Sequence, residues 1–202
     1  MPHRFMEDGR IPTALTLRQY HAVFTEQADK NDDGLTGEAA ERLEFTRLNR
    51  HRTERIRRTY EVSPNLARLV SRITERQTWF VLTEPWCGDS AQNLPYIEAM
   101  AALNPLIEVR LLLRDENLDV MDDFLTDGKR SIPLVVFFDA RGDEIRRWGP
   151  RPAKAQEVFD EAKAAGLEKP AILEKLHLFY GRDRGRALED EFRHILTELV
   201  PA

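Results

Sequence analysis

Cysteine is nearly absent. The chain has 202 residues and one cysteine, Cys87, so no disulfide can close within it and a cysteine-rich zinc site lacks its ligands. The fold must be held by packing. Long apolar runs are missing too. No stretch approaches the roughly 18 apolar residues that cross a bilayer, and the opening stretch MPHRFMEDGRIPTALTLRQY has no apolar centre of signal-peptide length. The expected compartment is the cytoplasm, where thiols stay reduced, and no membrane partner is expected. An excess of positive charge is also lacking. The formal net charge is -5, which argues against nucleic acid as a partner. His3, His21, His51, His177 and His194 show no metal-ligand spacing and read as surface or capping residues, so no metal and no other cofactor is expected.

What is present suffices for a core. Hydrophobic residues make up 42% of the chain and charged residues 32%, the balance of a folded domain with a solvated surface. Three zones follow. Residues 1–61 read as a helical extension: Thr16 is a candidate N-cap for LRQYHAVFTEQA, and after DKNDDG the pattern resumes in GEAAERLEFTRLNRHRTERIRRTYE. On this second helix Phe45, Leu48, Ile56 and Tyr60 share one arc at ~100° per residue, with Asn49 and Arg52 inside it. Residues 62–165 alternate strand and helix signals. Ser63-Pro64 opens a short helix, and TWFVLT, IEVRLLL and PLVVFFD read as strands. Residues Cys87 to Leu103, Asp119 to Leu125 and Ala153 to Ala165 read as helices, and EIRRWG as a hairpin partner after ARGD. The order is β-α-β-α-β-β-α. Residues 166–202 form a second extension with helices in AILEKLHLFYG and RALEDEFRHILTELV.

The chemistry concentrates in TEPWCGDSAQNLP, residues 83–95. WCGDS on a strand-to-helix turn, the element order above, Pro95 in the following helix and SIP before the third strand together resemble the thioredoxin superfold over residues 62–165. FTRLNRHRTERIRR, EPWCGDS, WGPRP and FYGRDRG are further similar to a bacterial subgroup of that family, which has helical extensions and often lacks the second cysteine. The resemblance implies an α/β fold, a central mixed β-sheet flanked by helices, with N- and C-terminal helical extensions packed on it. It also implies a kink at Pro95 and a cis-proline at Pro133, facing Cys87. A cis Pro133 would remove an N–H and leave the backbone of Ile132 free to pair with an extended partner segment.

Physics gives Cys87 a role beside the resemblance. A thiol at a helix N-terminus faces unpaired N–H groups and the positive end of the dipole, which favour thiolate and lower a thiol pKa from about 8.5 into a range of ~3.5–7.5. Gly88 allows a tight turn beside the sulfur, and Trp86 shields one side. The dithiol members of the family carry a second cysteine where Ser90 stands. Ser90 can donate a hydrogen bond to the thiolate but cannot resolve a mixed disulfide. Asp89 works against the anion, so the expected depression is smaller than in a dithiol protein. Glu84, at the end of the first central strand, joins Trp86, Gly88, Asp89, Ile132 and Pro133 as candidates for lining the pocket.

Two readings of function result. In one, Cys87 is the nucleophile of reversible thiol–disulfide exchange or of redox sensing, its partners being protein thiols or a low-molecular-weight thiol; monothiol glutaredoxins carry a related C-G-x-S pattern. In the other, the protein is a redox-inactive thioredoxin-fold binding module for a protein or small molecule. A peroxidase reading fails on spacing, because Thr83 stands in T-x-x-x-C rather than T-x-x-C. DKNDDGLTGEAA resembles a calcium loop, but Ala40 replaces the bidentate Glu of position twelve, so it reads as a polar turn with Asx-type capping. RLNRHRTERIRR reads as a solvated helix face. Asn49 and Arg52 demand partners if buried. They either dock the extension, with Arg52 on a carboxylate, or sit over the Cys87 pocket, where Arg52 stabilises a thiolate or holds an acidic ligand.

Overall fold

The computed structural model describes residues 13–200; His3 lies outside them. The chain enters through a two-residue strand, β1 (Leu15–Thr16), and turns at once into α1 (Leu17–Ala28). Thr16 caps α1 with a full capping box: its hydroxyl accepts from the Gln19 N–H, and the Gln19 side chain accepts from the Thr16 N–H. β1 is too short to show periodicity, and sequence reasoning misses it. The α1–α2 connection is the polar turn expected of DKNDDG. Asn31 Oδ1 accepts the Asp33 N–H at 3.1 Å, Asp29 pairs with Arg50 and Asp32 with Arg47.

α2 (Gly37–Thr59) buries Leu43, Thr46, Asn49, Thr53 and Ile56. The predicted arc is therefore rotated: Leu48 is 43% exposed, while two threonines face inward. Thr46 can do so because its hydroxyl donates to the Arg42 carbonyl at 2.8 Å. The basic cluster on α2 is largely occupied within the fold. Arg47 also reaches the carbonyls of Ala28 and Lys30, and Arg57 pairs with Glu98.

After α3 (Pro64–Ser71) comes the central strand β2 (Gln77–Thr83), then α4 (Gly88–Ala101) and β3 (Ile107–Leu113). A 3₁₀ turn (Arg114–Glu116) leads into α5 (Leu118–Asp122), shorter than predicted, and the hairpin β4 (Leu134–Phe138) and β5 (Glu144–Trp148) follows. α6 (Ala153–Ala164), α7 (Lys169–Asp183) and α8 (Arg186–Leu199) complete the described chain. The sheet order is β1-β3-β2-β4-β5. β2 and β3 are parallel; β4 is antiparallel to β2, β5 to β4, and β1 to β3.

Period-2 alternation divides the core between the sheet faces. Trp79, Val81, Val109, Leu111, Val135 and Phe137 join the larger cluster, with side chains from α1, α3, α4 and α8. Phe80, Leu82, Leu134, Val136 and Phe138 join a smaller one with Val120, Met121 and Phe124, and Cys87 belongs to it. No helix among the described residues is long and apolar enough to cross a membrane.

Phe192 of α8 makes edge contacts with Trp79, Phe137 and Trp148. The C-terminal extension therefore supplies a wall of the main core. Phe192→Ala is expected to lower the urea unfolding free energy by about 3–5 kcal/mol; a loss under about 1 kcal/mol would show that α8 is not packed there.

Candidate functional site

Cys87 is the N-cap residue of α4, with φ -75° and ψ 117°. Ile132–Pro133 is cis. The thiol donates to the Ile132 carbonyl at 3.4 Å, so the lone sulfur and the proline loop meet. The carbonyl that a partner segment would use is thus held by the thiol. Cys87 is only 7% exposed, and burial, followed by the Asp89 charge, pushes its pKa up to about 11. Hydrogen bonds from the Ser90 hydroxyl and from the Ser90 and Asp89 N–H groups act in the opposite direction. The helix terminus acts on the sulfur as expected, but the depressed pKa does not result, because desolvation of the anion outweighs it.

Ser90 is one link of a buried polar chain. Thr83 Oγ1 donates to Ser90 Oγ at 2.8 Å, and the Tyr20 hydroxyl shares a hydrogen bond with Thr83. The acceptor role leaves the Ser90 proton for the sulfur. Sequence reasoning misses Tyr20 and weighs Thr83 only for a peroxidase motif, not for this chain of hydroxyls.

Asp89 turns away from the sulfur. Its Oδ2 accepts from Arg151 Nη2 at 2.7 Å and Nε at 3.1 Å, and its Oδ1 accepts from the Tyr180 hydroxyl at 2.5 Å. Asn93 Nδ2 donates to the Tyr180 oxygen at 3.2 Å and to the Asp89 carbonyl at 2.8 Å. Burial raises the Asp89 pKa despite Arg151. Arg151 and Tyr180 stand in WGPRP and FYGRDRG, so these sequence blocks converge on one carboxylate. Gly149 is required by the same turn: at φ +131°, a Cβ there would lie 2.2 Å from the Pro133 carbonyl oxygen.

Gly88 lies under two side chains from the extensions. A Cβ on it would be 3.2 Å from His177 Cε1 and 4.0 Å from Arg52 Nη1. His177 is therefore no surface residue. It is half-buried, its Nδ1 is buried without a partner among the described residues, and burial together with the Arg52 charge lowers its pKa to about 4. His21 bonds Glu98 Oε1 at 3.1 Å. Asn49 is fully buried and bridges α2 to the motif, its Nδ2 donating to the Pro85 carbonyl at 3.0 Å. Arg52 has no carboxylate partner among the described residues; its Nη1 donates to Asn49 Oδ1 at 2.8 Å, and burial, with Arg55 nearby, lowers its pKa to about 10.

Glu84 and Trp86 face elsewhere. They line a cavity of about 530 Å³ with Arg42 and Asp115, and Cys87 is not in its wall. The guanidinium groups of Arg42 and Arg114 each lie over the Trp86 ring, 4.8 and 4.9 Å from its centroid. Glu84 is 4% exposed and accepts the Asp115 N–H at 2.7 Å. Burial raises its pKa from the ordinary 4.5 to about 7. A carboxyl raised on folding stabilises the fold below its unfolded pKa and loses that contribution as pH climbs through the folded one. Glu84→Gln is therefore expected to remove a decline in urea unfolding free energy between about pH 4.5 and pH 7. His177 acts oppositely, its contribution falling as pH drops from 6.5 through about 4. An unchanged pH profile in Glu84→Gln would mean that Glu84 ionises normally in the fold.

The comparisons with known proteins agree with this architecture. No curated protein matches the chain. A crystal structure of a protein of unknown function from Pseudomonas aeruginosa is similar at TM-score 0.58 and 20% identity, over 82% of this chain and 100% of its own. An HIV epitope-scaffold is similar at TM-score 0.56 and 22% identity, over 86% of this chain and 97% of its own. At such identity these two share the fold with it. The family model described as Thioredoxin matches residues 37–163, which takes in α2 and the whole sheet apart from β1. The chain belongs to the thioredoxin family.

Proposed function

We propose that the protein acts through Cys87 as a single covered thiol, exchanged reversibly for a disulfide when a partner displaces the cover. One observation carries the reading: the sulfur at the α4 terminus lies 3.4 Å from the Ile132 carbonyl, beside the cis Ile132–Pro133 bond. An extended partner segment running along that loop would meet the thiol. In the step, Cys87 gives its proton to solvent. The thiolate attacks one sulfur of a partner disulfide, a new S–S bond forms, and the second partner sulfur leaves as a thiolate that takes up a proton. Ser90 cannot complete the cycle. A second thiol, from a protein or a small molecule, attacks the mixed disulfide, returns Cys87 to the thiol and stays bonded to the partner sulfur. Ser90 and the N–H groups of Asp89 and Ser90 stabilise the anion, while Gly88, Ile132 and Pro133 border its approach. Asp89 opposes the anion by its charge and holds Arg151 and Tyr180.

A second reading draws on the burial of the same sulfur. A covered, neutral thiol suits a binding module that holds its partner without turnover. Incubating the reduced protein with glutathione disulfide at a series of pH values, then weighing the intact chain, separates the two. Exchange predicts a slow adduct on Cys87 that forms faster as pH rises toward about 11, reverses with added thiol and is absent in Cys87→Ser. If the folded protein forms no adduct under conditions where urea-unfolded protein does, the exchange reading is lost and the binding module stands.

A further inference from the structure

The α7–α8 turn carries the part of FYGRDRG that the thiol site does not use. It borders a cavity of about 740 Å³ between α2, α4 and the turn, whose wall includes Arg55, Arg184, Arg186, Tyr60, Tyr96 and Tyr180. We infer that this cavity binds a small molecule carrying a phosphate or diphosphate group. The volume lies within the roughly 300–1,000 Å³ of small-ligand sites.

The charges in the wall point to the ligand. The side chains of Arg55 and Arg184 make no hydrogen bond or ion pair among the described residues, and the Arg186 side chain donates only to the carbonyls of Asp183 and Arg182, at 2.9 and 3.1 Å. Elsewhere Arg42, Arg47, Arg50, Arg57, Arg130 and Arg151 each hold a carboxylate. Scarcity of acid is not the reason, since 35 acidic residues face 30 basic ones. Arg52 repeats the pattern one helical turn from Ile56, half-buried with only Asn49 Oδ1 as partner. Guanidinium forks match phosphate oxygens pairwise, and lysine, a point charge, is not in the wall. Two carboxylates are. Glu189 is engaged by the Tyr60 hydroxyl at 2.5 Å and the Ser63 N–H at 3.3 Å, and Glu61 is exposed.

The backbone is also built to present these arginines. Gly185 has φ +83°, and a Cβ there would stand 2.4 Å from the Tyr96 ring. The turn is thus pressed onto Tyr96, with an arginine on each side of the glycine. Arg184 itself occupies the left-handed region at φ 55°, a conformation that non-glycine residues seldom hold without cause. Tyr60 and Tyr96 meet edge to face with centroids 4.5 Å apart, and give the organic part of a ligand an aromatic wall.

Calorimetric titration of the full chain with inorganic pyrophosphate and with ADP tests the site. Saturable one-to-one binding is expected, weakened about tenfold or more in Arg55→Ala/Arg184→Ala, which removes two charge-assisted contacts. Both side chains are exposed, so the variant should keep the circular dichroism of the parent. Arg58→Ala, an exposed arginine of α2 outside the cavity wall, should bind as the parent does. Tighter binding of ADP than of pyrophosphate would assign an organic ligand, and equal binding a bare diphosphate. The inference is overturned if neither probe saturates, if the double variant binds unchanged, or if Arg58→Ala loses as much affinity.

Discussion

The carboxylate of Asp89 is the joint on which the site depends. It sits in the first turn of α4, where the helix terminus favours negative charge. Buried without partners it would be expensive to keep ionised; Arg151 and Tyr180 give it three hydrogen bonds. One donor follows the Gly149–Pro150 turn and the other belongs to α7, so one residue of the thiol motif ties the β5–α6 turn and the C-terminal extension to the α4 terminus. Gly149 in that turn presses on the Pro133 carbonyl. The proline loop facing Cys87 and the Asp89 network therefore form one packed unit.

This arrangement decides the state of the sulfur. A helix terminus, the Ser90 hydroxyl and two N–H groups favour the thiolate, and on an exposed cysteine they would prevail. Here the sulfur lies in the apolar cluster with Ile132, Met121 and Phe124. The cost of an anion in that setting, added to a carboxylate two residues away, outweighs them. The polar chain through Thr83 and Tyr20 adds order without changing the balance, because both hydroxyls are themselves buried.

Much of this was legible in the sequence because it is local. The α1 cap, the bounds of β3 and the proline opposite Cys87 follow from short-range patterns or from the resemblance. What resisted is long-range. Arg151 and Tyr180 lie far from Asp89 in the chain, and nothing in their spacing announces a shared carboxylate. His177 resembles any histidine on an amphipathic helix until α7 is laid over Gly88. The α2 arc differs from its sequence pattern for a related reason. Ranking by hydrophobicity favours Leu48 over Thr46 and Thr53, whereas the helix is oriented by Asn49 reaching the Pro85 carbonyl. A buried polar anchor competes with one leucine, since leaving that carbonyl without a partner inside the protein costs about as much as burying an apolar side chain saves.

Both extensions touch the motif, and they do so differently. α2 holds the loop before Cys87 through Asn49, and its companion Arg52 overhangs Gly88. α7 holds the residue after Gly88 through Tyr180 and covers the glycine with His177. Under the proposed exchange, the α2 contact can persist while α7 moves, because Asn49 bonds backbone and would keep the Pro85 turn in place. Moving α7 would take the Tyr180 hydroxyl from Asp89 and admit water beside Gly88. Hydration would then relieve the largest cause of the raised thiol pKa, while the α4 terminus and Ser90 remained in position to favour the anion. Under that proposal, one extension keeps the motif in shape and the other keeps it closed.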